Sequence, residues 1–240
     1  LDLNEMSLKI FNTNNLEHPG VKKLFEKGDC FISGKVELIR CIPSKYKYYE
    51  ITPAESRQIL ENKGWSRVAG FHTRNIPHRV HEHIQKYVIE NYLCDGIFIH
   101  PVVGPKKSGD FMPEIIIETY QLLIDHYLDT KSFLGAFQSY SRYAGPREAV
   151  FTALCRKNFG CSHFIIGRDH TGVGNYYSSS DLQNLLLQLD DLGIILIMLD
   201  EFVYSEDNDN YIKVSDAENE KIKSISGTEA RKMLKNGEIP

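Results

Sequence analysis

The stretch VAGFHTRNIPHRVHEH, residues 68–83, decides how this chain is read. Residues 68–71 form a short apolar run suited to a buried strand. A polar turn follows, and then Val80, Ile84, Tyr87, Val88 and Tyr92 recur every three or four residues, the spacing of one helical face. Strand, turn and helix in that order put the turn where unpaired first-turn N–H groups and the helix dipole favour an anion. The turn supplies matching donors: Arg74 and Asn75 precede the helix, and His78 and His81, three residues apart, share one of its faces. No GxxxxGK[ST] loop is present, so side chains must form the cradle. A metal pair or incidental surface histidines is the competing reading of HxxH alone, and the neighbouring Arg74 and Asn75 argue against it.

Working outward, further apolar runs at residues 96–103, 133–137, 163–166 and 194–199 alternate with helical stretches, as βαβ units require. Thr52, Pro53 and Glu55 spell an N-cap, a first-turn proline and a capping box, with Gly64 as terminator. Pro146 opens another helix running to about Asn158, and Ser180 is read as the cap of a third whose face carries Leu182, Leu185, Leu186 and Leu189. The runs IFI (97–99) and IILIML (194–199) are apolar on both alternating faces, which predicts strands covered on both sides. The expected fold is α/β, a doubly wound, Rossmann-like parallel sheet with its ligand crevice at the carboxyl ends of the strands. Before it, GDCFISGKVELI (28–39) has two apolar runs around Ser33 and Gly34, a hairpin signal that predicts a small N-terminal β appendage over residues 1–50. The acidic SEDNDN (205–210) reads as a solvated loop.

Composition narrows the function. With 28 Lys and Arg against 32 Asp and Glu the net charge is −4, which argues against nucleic-acid coating and makes any anion site local. Five cysteines, an odd number without CxxC spacing, suggest neither a disulfide framework nor a zinc site and fit a reducing cytoplasm. No run of about 18 apolar residues and no signal-peptide pattern occurs, so a soluble protein without membrane contact is expected.

TRNIPHRVH (73–81) resembles the RNxxHxxH signature of the ATP sulfurylase, or sulfate adenylyltransferase, family of HxGH-type nucleotidylyltransferases. EHPGV (17–21), GWSRVAGFHTRN (64–75), DGIFIHPVVGPKKSGD (95–110), RYAGPREAVFTALCRKNFGCSHFIIGRDHTGVG (142–174) and ISGTEARKML (225–234) look like further family blocks in family order, so the resemblance covers nearly the whole chain. It implies transfer of the adenylyl group of ATP to sulfate, with Mg²⁺ accompanying the nucleotide and pyrophosphate leaving. Carried over, Thr73, Arg74, Asn75, His78 and His81 are the catalytic run: Arg74 for the acceptor and the α-phosphate, Asn75 for the α-phosphate, the histidines for the β- and γ-phosphates. Gly167, Arg168, Asp169 and His170 match the nucleotide-binding segment, although Asp169 alone also suits a turn, and the backbone N–H of Thr171 matches the position that meets sulfate. Phe202 falls near the adenine position, with a buried core aromatic as the competing reading. Ser226, Thr228 and Arg231 resemble a phosphate loop leading into a helix, where Thr228 also reads as a cap. Arg147 and Arg156 read as structural ion-pair partners before site residues, and Lys106 and Lys107 as a solvated pair.

Two positions depart from the family. His72 stands where the family has a Gln that helps to bind sulfate, and Thr152-Ala153 where it has His-Ala. Both touch the acceptor side, which leaves open a nucleotidylyltransferase with another anionic acceptor, such as a phosphonate or phosphate ester; a shortened N-terminal part leaves open a non-catalytic nucleotide binder. The expected parts are residues 1–50 as the remnant of a β-rich domain, 51–215 as the catalytic domain, and 216–240 as phosphate loop and C-terminal helix. The expected partners are ATP and a small oxyanion, with a homo-oligomer compatible and no protein-held metal.

Overall fold

The computed structural model describes residues 2–40, 44–105, 110–167, 173–223 and 227–238. Five strands, β1 (Val68–Thr73), β2 (Gly96–Pro101), β3 (Ser132–Leu134), β4 (His163–Ile166) and β5 (Ile195–Met198), form one parallel sheet in the order β3-β2-β1-β4-β5. The helices are α1 (Leu3–Phe11), α2 (Pro19–Glu26), α3 (Pro53–Asn62), α4 (Arg79–Asn91), α5 (Pro113–Leu123), α6 (Pro146–Asn158), α7 (Ser179–Leu186) and α8 (Gly227–Lys235). Strand periodicity sorts the core in two. Ala69, Phe71, Ile97, Ile99, Ile165 and Ile197 pack with Val88 of α4 and Ile116 and Tyr120 of α5, while Val68, Phe98, Phe164 and Ile166 pack with Leu60 of α3 and Ala153 of α6. The sheet is therefore wound on both faces, and chain order reverses at β1, whose neighbours are β2 and β4. In such folds the crevice opens between the carboxyl ends of the two strands flanking the reversal. Here those ends are Thr73 of β1 and Ile166 of β4.

The capping box at Thr52 is present: its hydroxyl accepts from the Glu55 amide (3.2 Å) and the Glu55 carboxylate from the Thr52 amide (2.6 Å). Several expectations need correction. The N-terminal segment is no β appendage, because α1 and α2 occupy it and no described residue of 28–40 lies in a strand. Ile32, Val36 and Ile39 are almost fully exposed. A two-stranded hairpin with no third strand or helix beneath it is marginal at best. Helix α1 instead begins at Asp2, whose carboxylate accepts from the Asn4 and Glu5 amides, and α2 begins at His18, whose Nδ1 accepts from the Gly20 and Val21 amides.

Strand β5 lies at the sheet edge rather than under two layers, with Ile195 57% and Met198 48% exposed. Helix α7 is capped by Ser178, two residues before the expected Ser180, and Asp181 completes its capping box; Leu189 lies beyond its end. The expected strand at 133–137 is shortened to β3, with Phe137 joined to Val102 by an isolated bridge. Residues 206–209 of the SEDNDN segment are the exposed turn of a second, antiparallel sheet of β6 (Phe202–Ser205), β7 (Asn210–Lys213) and β8 (Ile222–Lys223), in the order β7-β6-β8, with Ser205 buried at the end of β6.

Candidate active site

The turn between β1 and α4 is built by short-range bonds. The Asn75 amide donates to Thr73 Oγ1 (3.1 Å), and the Thr73 hydroxyl donates back to the Asn75 carbonyl oxygen (3.3 Å), folding the chain at the strand end. Arg74 is thereby carried to the wall of a cavity of about 240 Å³, lined also by Pro19, Lys23, Val102, Asp110, Tyr140 and Tyr143. One of its terminal guanidinium nitrogens, Nη1, is buried without a hydrogen-bond partner among the described residues, and the group lies 5.9 Å from the centroid of the Tyr143 ring. An unpaired buried donor costs roughly 1–3 kcal/mol, so its retention calls for a ligand.

At the start of α4 the rings of His78 and His81 pack with centroids 4.0 Å apart. The His78 amide donates to His81 Nδ1 (3.3 Å), which fixes that nitrogen as an acceptor and leaves the ring proton on Nε2. Burial first, and the neighbouring His78 second, push His81 down to about 3. Burial also lowers His78. Both imidazoles are therefore neutral donors at physiological pH, seated at the positive end of a helix. Glu82, one turn on, is taken up by Arg79 and Lys86 and offers the site no base.

His72 leaves β1 toward α6. Its Nδ1 lies 2.8 Å from a terminal nitrogen of Arg156, which also donates to the His100 carbonyl oxygen (2.9 Å). Arg156 is fully buried and forms no ion pair among the described residues, contrary to the structural reading of that residue; Arg147 is exposed. Thr152 sits one turn before Arg156 on the buried face of α6, its hydroxyl donating to the Glu148 and Ala149 carbonyl oxygens. The loop before α6 is held by Glu148, whose carboxylate accepts from the Arg142 and Ala144 amides.

Phe202 is only 7% exposed, with its ring against His83 (4.8 Å) and Tyr87 (5.1 Å) of α4. It bolts the small sheet to α4, the packing that the core reading expects. Gly167 is exposed at the end of β4, across the crevice from Thr73. Arg168, Asp169, His170 and Thr171, together with Lys106, Lys107 and Ser226, lie outside the described residues. Thr228 and Arg231 fall on α8, their side chains likewise outside. Lys23 and Tyr143 join the cavity without having been singled out in the sequence. The segment HPG at 18–20, with proline at the first helical position, was the one available signal, because it starts the helix that carries Lys23.

His18 secures that helix. It is fully buried, its Nε2 lies 3.1 Å from the Tyr177 hydroxyl, and that hydroxyl donates to the Tyr143 carbonyl oxygen (2.8 Å). Gly20 allows the approach, since a Cβ there would meet the Arg142 carbonyl oxygen and the Phe11 ring, each at 2.5 Å. Among the described residues no three His, Cys, Asp or Glu side chains converge as metal ligands, and no helix is long and apolar enough to cross a membrane.

The family model for ATP-sulfurylase matches residues 47–240, and a PUA-like domain model matches residues 1–41. A sulfate adenylyltransferase from Ignicoccus hospitalis is 43% identical over 100% of this chain and 63% of its own length. One from Pyrococcus abyssi is 41% identical over 98% of this chain and 62% of its own. The chain thus spans a little under two thirds of the curated relatives it matches. A solved structure, a hexameric APS kinase from Thiobacillus denitrificans, superposes with a TM-score of 0.67 at 24% identity, covering 83% of this chain and 38% of that one, a likeness of fold. By the extent of the family match and the identity to these relatives, the chain belongs to the ATP-sulfurylase family.

Proposed function

We propose that this chain holds the adenylyl-transfer centre of a sulfate adenylyltransferase, converting ATP and sulfate to adenylyl sulfate and pyrophosphate. The observation that carries the reading is the buried, unpartnered Nη1 of Arg74 on a cavity wall just past the carboxyl end of β1, in the turn that runs on to two neutral histidines at the start of α4. A sulfate oxygen attacks the α-phosphorus, forming an O–P bond as the P–O bond to pyrophosphate breaks. Sulfate is already a dianion, so no proton has to be removed. The task is to bring two anions together and to stabilise the charge that accumulates on the leaving group.

Arg74, planar and permanently charged, suits the contact between the acceptor and the α-phosphate. Asn75 orients the α-phosphate. His78 and His81 donate to the β- and γ-phosphate oxygens as neutral N–H groups. Gly167, Arg168, Asp169 and His170 after β4 complete the nucleotide side, with Ser226, Thr228 and Arg231 at the tail, and His72 and Thr171 meet the acceptor. The donor set fits phosphate oxygens rather than a cation, so Mg²⁺ would enter with the nucleotide and would supply neutralisation of its phosphate charge. Sulfate is preferred to a phosphonate or phosphate ester because the curated relatives carry sulfate in their names. A cytoplasmic setting belongs to the same reading.

Purified protein given ATP, Mg²⁺, sulfate and an inorganic pyrophosphatase is expected to release phosphate well above a sulfate-free control. Equal release with and without sulfate overturns the assignment. Release supported only by another oxyanion retains the chemistry and changes the acceptor.

A further inference from the structure

Arg156 is a buried cation with no anion beside it among the described residues. It is 0% exposed, and its partners are His72 Nδ1, the His100 carbonyl oxygen and the faces of Phe137 (4.2 Å) and Phe164 (5.9 Å). Among the described residues its Nε and Nη1 have no hydrogen-bond partner. Burial lowers it to about 10, which still leaves it charged at neutral pH. The neighbouring His100 cannot share that charge, because burial and Arg156 itself push it far below the usual range. Room for the side chain is provided by Gly70, two residues before His72 on the same face of β1, where a Cβ would meet Arg156 Cγ at 2.6 Å. A buried guanidinium without an anion is costly, and here its one hydrogen-bonded side-chain partner among the described residues is the His72 imidazole.

We infer that Arg156 is a positioning residue that holds His72 as a neutral Nε2–H donor toward the acceptor anion, selecting a fully ionised oxyanion over one that carries a proton. The inference rests on the functional reading above. A guanidinium has only donors, so the 2.8 Å contact requires the Nδ1 lone pair of His72. Protonating that nitrogen would set N–H against N–H and place a second charge beside a buried one. The proton of the neutral ring is then on Nε2, at the edge turned away from Arg156. His72 therefore offers what a side-chain amide N–H would offer, a donor without charge. Fixed in this form it cannot accept from the P–OH of monohydrogen phosphate, whereas sulfate presents acceptors only. The charge of Arg156, little screened in a dry setting, adds attraction without touching the ligand.

The test has two arms. In ¹⁵N NMR of the ligand-free protein, with His72 assigned by its loss in His72→Gln, Nδ1 is expected as the unprotonated nitrogen and Nε2 as the protonated one at pH 7. Arg156→Met should mix the two tautomers. Protonated Nδ1 in the parent, or an unchanged tautomer in Arg156→Met, overturns the inference.

In the second arm inorganic sulfate and inorganic phosphate are titrated calorimetrically into the parent, Arg156→Met, His72→Gln and the double variant. The preference for sulfate should fall about tenfold in Arg156→Met, equivalent to about 1.4 kcal/mol. It should fall much less when Arg156→Met is made in the His72→Gln background, since an amide has no tautomer to set. Equal losses in both backgrounds overturn the positioning role and mark Arg156 as structural. If Arg156→Met does not fold, Arg156→Lys replaces it and is expected to keep the tautomer, because an ammonium also only donates; tautomer mixing there overturns the inference. Correct tautomer and sulfate preference without pyrophosphate release would sink the functional reading while supporting the anion-site inference.

Discussion

Replacing Arg74 by methionine separates fold from function. The guanidinium places one buried nitrogen without a partner against the cavity wall and makes a 5.9 Å contact with Tyr143. Removing an unsatisfied buried donor recovers roughly 1–3 kcal/mol. Loss of the cation–π contact returns about 0.5–1 kcal/mol. Methionine has similar length and needs no partner, so the variant should be more stable by about 1 kcal/mol, raising Tm by about 2–4 °C for a chain of this size. Turnover should fall by about 10²–10³, the usual effect of deleting one donor aimed at transition-state charge. Thermal unfolding followed by circular dichroism and coupled pyrophosphate release measure the two quantities on the same preparation. A variant less stable by more than about 1 kcal/mol would show that Arg74 braces the fold, and the argument from its unpaired nitrogen would fail.

His78→Ala and His81→Ala should lower kcat more than they raise the KM for sulfate, because the proposed function sets those rings against the leaving group; a larger effect on the sulfate KM contradicts that assignment. His81 is depressed in the fold from an unfolded value near 6.5 to about 3, so its protonation opposes folding, with no penalty above about pH 6.5 and a growing one as pH falls toward 3. His81→Gln should therefore flatten the loss of stability between pH 6.5 and 4 in urea titrations, and an unchanged slope refutes the shift. Thr52→Ala removes a capping box remote from the cavity and should cost about 1 kcal/mol while leaving kcat intact. His18→Phe strips the Gly20 and Val21 amides of their acceptor and should cost roughly 2–3 kcal/mol by chemical denaturation; a neutral effect would mean that α2 is not held through that ring.

What was legible in the sequence follows from how local each signal is. The β1-turn-α4 unit announces itself because period two gives way to period 3.6 within a dozen residues, and α3 and α6 carry their own caps and prolines. Strand β5 misled because IILIML looks like a central strand, whereas its edge position is set by the order of all five strands. Helix α2 was overlooked because its cap is an imidazole nitrogen, an acceptor outside the usual Ser, Thr, Asp and Asn set.

In the site, the residues in one short run, Thr73 to His81, could be read together. The pairing of His72 with Arg156, 84 positions apart, could not. It depends on α6 crossing β1 over Gly70, and an arginine in a helix otherwise suggests a salt bridge. Phe202 had two readings in the sequence because an aromatic near a family position carries no information about which face the fold buries, and its packing on α4 is set by tertiary structure.

Exchange of labelled pyrophosphate into ATP tests the central claim most directly, because it reports adenylyl transfer in both directions however small the net accumulation. With Mg²⁺ present, exchange is expected to require sulfate and to drop about 10²-fold or more in Arg74→Met. Exchange that runs equally well without an acceptor, or that survives intact in Arg74→Met, would contradict the account.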